Sequence, residues 1–130
     1  MKTFLASWQA TILSVMRIVT GLLLMQHGGQ KAFGFPAPQH GPFELVSLLG
    51  LAGVLELAGG ALIIVGLFTR PTAFVLSGMM AVAYFLMHAP KALWPLVNGG
   101  ELAAIYCFVF LYLSAAGGGT WSLDALRGKS

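Results

Sequence analysis

The stretch from Trp8 to Phe33, WQATILSVMRIVTGLLLMQHGGQKAF, is long enough to cross a bilayer and yet contains Arg17, His27 and Lys31. A spanning helix takes about 20 mostly apolar residues. An unpaired charge in hydrocarbon costs at least ~2.5–3.5 kcal/mol on insertion scales, so charges persist there where they pair, bind something or line a wet cavity. At about 100° per residue, Arg17, Gly21, Leu24, Gly28 and Lys31 share one stripe, with His27 on its flank and Gln26 pointing elsewhere. That stripe predicts a helix with one face turned to protein and the rest to lipid.

Outward from this segment the pattern repeats. Three further apolar segments run roughly over residues 43–68, 72–88 and 99–116. Turn-forming sequence separates them: Gly34 to Pro42 with three prolines, then Thr69-Arg70-Pro71, then Ala89-Pro90 through Asn98. Short connections between spans make each neighbouring pair an antiparallel hairpin. The chain is 58% hydrophobic, 8% charged and has a mean hydropathy of +0.85, outside the range of soluble globules. The expected fold is an all-α integral membrane protein, one domain over residues 1–130. Four transmembrane helices form an antiparallel bundle, and a short interfacial helix follows at about 122–127. The first segment runs past the core length of a signal peptide and has no small-residue cleavage site, so it reads as a retained helix.

The side with both termini and the second loop holds Lys2, Arg70, Arg127 and Lys129, against Lys31 and Lys91 on the other, which predicts both termini inside. Trp8 and Trp121 on one side and Trp94 on the other fit interfacial anchors. The net charge of +3 is spread along the chain with no basic run, which argues against nucleic acid. The lone Cys107 excludes an intrachain disulfide and reads as a small buried hydrophobe. No compact metal-ligand spacing occurs, and two lysines near the histidines would repel a cation, so no metal site is expected.

In the second segment Gly53, Glu56, Gly59 and Gly60 crowd one side, where small residues let another helix approach, so Glu56 faces protein. Counting ~1.5 Å per residue from the outer ends puts Arg17 at ~24 Å and Glu56 at ~18 Å, which makes an intramembrane Arg17–Glu56 ion pair the expected arrangement. In the third segment Ser77, Ala81, Tyr84 and His88 share a face, and Tyr84 and His88 can share a hydrogen-bonded chain. His27, Lys31, His88, Lys91, Asn98 and Glu101 gather at the outer mouths of helices one, three and four. These residues can bind a ligand, relay protons to a quinone head group, or pair among themselves. Asn98 with Glu101 three residues later is also a capping-box signature, so Glu101 can equally serve its own helix. Ser122 is placed to cap the tail helix, with Asp124 in its first turn and Arg127 and Lys129 towards its end.

Arg17-Ile18-Val19-Thr20-Gly21, His27-Gly28-Gly29-Gln30-Lys31, Glu56-Leu57-Ala58-Gly59-Gly60, Gly66-Leu67-Phe68-Thr69-Arg70, Asn98-Gly99-Gly100-Glu101 and Trp121-Ser122-Leu123-Asp124 together resemble the DoxX family over nearly the whole chain. The resemblance implies a small four-helix protein of the bacterial inner membrane. Relatives in that family include a subunit of a thiosulfate:quinone oxidoreductase and a membrane partner of oxidative-stress enzymes, which implies a redox-linked role without fixing a reaction. The sequence carries no haem-attachment motif, flavin fingerprint or cysteine pair; no cofactor is evident, and a quinone is the redox partner that needs only a pocket and proton donors. Two readings follow. In one the chain is a quinone-interacting subunit of an oxidoreductase, with His27, His88 and Glu101 at the quinone oxygens. In the other it is a non-catalytic scaffold that recruits a soluble redox or stress-response enzyme. Besides the lipid bilayer, the expected partners are proteins of a redox complex or further copies of the chain.

Overall fold

The computed structural model describes residues 3–129, and no strand occurs among them. After a 3-10 turn at Phe4–Trp8 come α1 (Gln9–Phe33), α2 (Leu48–Val65), α3 (Thr69–Ala83), α4 (Pro95–Asn98), α5 (Glu101–Ala116) and α6 (Leu123–Leu126); α3 continues through a π-helical turn at Tyr84–His88. Three helical segments, Phe4–Phe33, Leu48–Val65 and Thr69–His88, are long and apolar enough to cross a membrane, and Glu101–Ala116 is a shorter apolar helix. Lys2, used above to orient the chain, lies outside the described residues.

Local chemistry explains where the helices begin and end. α1 and α2 stop at Gly34 (φ 66°) and Gly66 (φ 69°), both left-handed, a conformation that glycine adopts without a Cβ penalty. α2 begins at Leu48, not at Phe43 as expected, because Ser47 is its N-cap: the Ser47 hydroxyl accepts from the Gly50 amide at 2.9 Å and donates to Glu44 O at 2.7 Å. α3 begins at Thr69, earlier than expected. Pro71 sits in its first turn, where a missing N–H costs nothing, and so does not stop the helix.

α1 lies along α2, α3 lies along α5, and α2 against α3 joins the two hairpins. The first hairpin is a glycine seam. A Cβ on Gly28 would stand 2.9 Å from Leu57 N, and one on Gly21 would stand 3.0 Å from Gly60 O, so only glycine lets these backbones approach so closely. The expected stripes are the buried ones, Arg17, Gly21, Leu24 and Gly28 on α1 and Gly53, Glu56, Gly59 and Gly60 on α2, except that Lys31 at the end of the α1 stripe is partly exposed. Leu24, Ile63, Leu76, Met80, Tyr106, Phe110 and Leu113 form a shared core drawn from all four long helices.

Candidate functional site

Two polar groups are buried at opposite ends of the helices. At the end where the C-terminal tail returns, the tail end, Arg17 is fully buried. Its Nε donates to Gly118 O at 2.8 Å, Nη1 donates to Ile63 O and to Ile64 O (2.6 Å for the latter), and Nη2 donates to Trp121 O. Ile63 and Ile64 lie in the last turn of α2, where carbonyls lack full partners within the helix; Ile63 O also accepts from the Gly66 amide at 3.2 Å. Arg17 thus supplies donors that the backbone lacks. Ser14, one turn before it on the same stripe, accepts from the Trp121 amide at 3.0 Å.

The tail is held at a second point. Asp124 is buried and accepts from the Phe68 amide at 2.9 Å and the Thr69 amide at 2.8 Å, while its own amide donates to Gly66 O at 2.9 Å. It caps α3 from another part of the chain and fixes Phe68 in a left-handed conformation (φ 50°), which is unfavourable for a residue with a Cβ. Burial opposes the Asp124 charge, but the Thr69 and Phe68 amides and the Arg127 guanidinium, 3.9 Å away, favour it more. The carboxyl is therefore held below the ordinary carboxylate range. Asp124 lies in the first turn of the tail helix as expected, yet its partners are the amides of α3. Ser122 caps α6 as expected, accepting from the Ala125 amide at 3.1 Å.

At the other end, which carries the longer loops, Lys31 Nζ donates to both carboxylate oxygens of Glu56, at 2.9 and 2.7 Å. The Glu56 side chain is 7% exposed and that of Lys31 is 21% exposed. His27 lies beside this pair and meets Tyr106 of α5 edge-on, with ring centroids 6.2 Å apart. The expected Arg17–Glu56 ion pair does not form. Because α2 starts at Leu48, Glu56 lies only ~12 Å from its outer end, about 12 Å short of the level of Arg17. The long stem of Lys31 reaches inward across that shorter distance.

The expected outer cluster divides. Asn98 is buried, and its Nδ2 donates to Tyr84 Oη at 3.2 Å and to Ala92 O at 3.1 Å, while its carbonyl lies 3.2 Å from His88 Nδ1. Tyr84 and His88 are therefore joined through Asn98 rather than to each other. The Asn98 side-chain oxygen accepts from the Gly100 amide at 2.8 Å, one residue earlier than a capping box requires, and Gly100 leaves room for the Tyr84 ring, which a Cβ there would meet at 2.6 Å. Glu101 and Lys91 are exposed, and among the described residues neither makes an ion pair. No group of three His, Cys, Asp or Glu suited to a metal occurs among the described residues. The sequence reading missed Ser14 and Tyr106; both are polar residues on core-facing stripes, three residues before Arg17 and four before the buried Phe110.

A DoxX family model matches residues 12–89, which take in most of α1 and all of α2 and α3 with Arg17, Lys31 and Glu56. The chain belongs to the DoxX family. It is also similar to an uncharacterized protein of Haemophilus influenzae, 40% identical over 125 residues that cover 92% of this chain and 93% of the other. No solved structure matches it.

The two buried groups of this DoxX protein differ in what they do for the fold. Arg17 satisfies backbone carbonyls of two other segments, so its role is explained by architecture alone. Lys31 and Glu56 satisfy chiefly each other. A buried ion pair is a weak brace, since well-packed apolar residues of similar size often stabilise as well or better. With His27 and Tyr106 alongside, the pair is a cluster of titratable side chains between two helices long and apolar enough to cross a membrane, and Lys31 is its accessible edge.

Proposed function

We propose that this DoxX protein crosses the bacterial inner membrane four times as an antiparallel bundle, with both termini cytoplasmic and α6 at the inner surface. In that bundle it serves as a quinone-interacting subunit of a membrane redox complex. The observation that carries the reading is the Lys31–Glu56 pair, buried within a spanning hairpin, open to its surroundings only at Lys31, and not needed by any backbone group. Lys31 and His27 hydrogen-bond the quinone oxygens, Glu56 holds and returns the proton, and electrons come from a partner subunit. Tyr84, Asn98 and His88 brace the mouth on the opposite hairpin, and Glu101 is its solvent-facing rim. The test is quinone content after purification in native lipid particles, measured by extraction and mass spectrometry. Wild type should be enriched over the bulk membrane, and Glu56→Gln should not; equal content in the two would sink the reading.

A scaffold role is the second reading, favoured by the tail. Arg17, Ser14 and Asp124 fix the tail rigidly while Trp121 and Leu126 remain exposed on it, at 58% and 84%. A rigid exposed tail suits recruitment of a soluble enzyme. Crosslinking from position 126 in cells distinguishes the two: a captured protein lost in Trp121→Ser, with quinone content unchanged by Glu56→Gln, selects the scaffold.

A further inference from the structure

At the tail end a cleft of about 650 Å³ opens between the start of the first spanning segment and the end of α5. Ala10, Leu13 and Ala116 give it apolar walls, and Ser7, Gln9 and Tyr112 add polar groups. It lies far along α1 from the Lys31–Glu56 pair: from Leu13 to His27 is about 21 Å of helix.

Arg70 stands beside this cleft. Its Nη1 donates to the carbonyls of Ser114 and Ala115, and Ala115 lines the cleft. These contacts hold the guanidinium at the helix end and leave the rest of its fork free, for the residue is exposed and forms no ion pair among the described residues. Arg127, stacked 4.7 Å over the ring of Phe68, is paired with Asp124 at 3.9 Å. Asp124 is the one acidic residue of this end, and its oxygens are engaged by the amides of Phe68 and Thr69. The rim therefore presents one guanidinium, that of Arg70, with no carboxylate partner among the described residues, next to a cleft at a helix end.

We propose that this cleft is a binding site for an anionic phospholipid, its phosphate bonded to Arg70 and one acyl chain lying between α1 and α5. Charge complementarity selects the head group, since a basic group at a membrane surface attracts anionic lipid. A guanidinium fork fixed by carbonyls on one side suits a phosphate on the other. The site is separate from the quinone reading and survives its failure.

The experiment is native mass spectrometry of the full chain released from nanodiscs with equal phosphatidylglycerol and phosphatidylcholine. Wild type should retain phosphatidylglycerol in preference. Arg70→Gln should reduce the preference about fivefold, the effect of one basic group at the surface, and Arg70→Lys should keep most of it. Ala116→Phe, which fills the cleft, should lower retention of both lipids. Equal retention of the two lipids by wild type overturns the proposal, as does an unchanged preference in Arg70→Gln or unchanged retention in Ala116→Phe. Displacement of the lipid by excess inorganic phosphate would show a free-anion site and overturn it as well. Helical circular dichroism of each variant separates loss of lipid from loss of fold.

Discussion

At the tail end Arg17 is enclosed by carbonyls of α2 and of the segment after α5, whereas at the loop end Lys31 meets Glu56, side chain to side chain. Both arrangements satisfy a charged side chain within a helix long and apolar enough to cross a membrane, but they depend on different parts of the chain. Removal of Arg17 leaves backbone groups unsatisfied, and no substitution elsewhere restores their donors. Removal of Lys31 and Glu56 together leaves nothing behind. The difference separates a residue that the fold requires from residues that the fold merely tolerates, and it directs functional attention to the latter.

The largest effects should come from breaking either arrangement on one side only. Lys31→Met or Glu56→Leu alone leaves an uncompensated buried charge and should cost about 3–5 kcal/mol, measured by denaturant titration in micelles. Arg17→Met should cost at least about 3 kcal/mol, because several buried acceptors lose their donor at about 1–3 kcal/mol each. Arg17→Lys should recover little of this, since an ammonium cannot span four carbonyls on two segments. A full recovery with lysine would mean that charge rather than the fork holds the tail end.

Gly28→Val comes next. It pushes a side chain into Leu57 and overpacks the seam, at about 1–3 kcal/mol, and should loosen the Lys31–Glu56 pair while leaving Arg17 in place. Asp124→Ala should cost about 1–2 kcal/mol as the loss of a cap, and should expose the tail to protease. The pH dependence follows from the depressed folded-state value. Stabilisation by Asp124 is fully present above the ordinary carboxylate pKa of about 3.9, and is lost as pH falls through the lower folded value. A tail that loosens on raising the pH instead would contradict the capping assignment. The smallest effect is expected from Glu101→Ala, which is exposed and should stay within about 0.5 kcal/mol of wild type.

Faces were far more legible in the sequence than partners. The stripe Arg17, Gly21, Leu24 and Gly28 and the stripe Gly53, Glu56, Gly59 and Gly60 follow from the helical period alone, because hydrocarbon leaves polar and small residues little choice of face. Partners depend on axial level, and level depends on where each helix begins. Extending α2 back to Phe43 moved Glu56 towards Arg17, although Ser47 before Leu48-Leu49-Gly50 is a readable capping signal. Asp124 was legible as a residue in the first turn of a short helix; that it caps α3 was not, since nothing local ties position 124 to Phe68 and Thr69. The DoxX resemblance places the Gly66–Arg70 and Trp121–Asp124 stretches in one family pattern, and their contact gives that pairing a physical reason.

On the proposed function, Lys31 and Glu56 are kept for what they bind and not for how they brace. The direct measurement is the double variant Lys31→Met with Glu56→Leu, assayed for both unfolding stability and quinone content in native lipid particles. The account predicts stability within about 1 kcal/mol of wild type, with the single-variant losses cancelled, and quinone reduced to the level of the bulk membrane. A double variant that remains enriched in quinone, or one as unstable as either single variant, would contradict it.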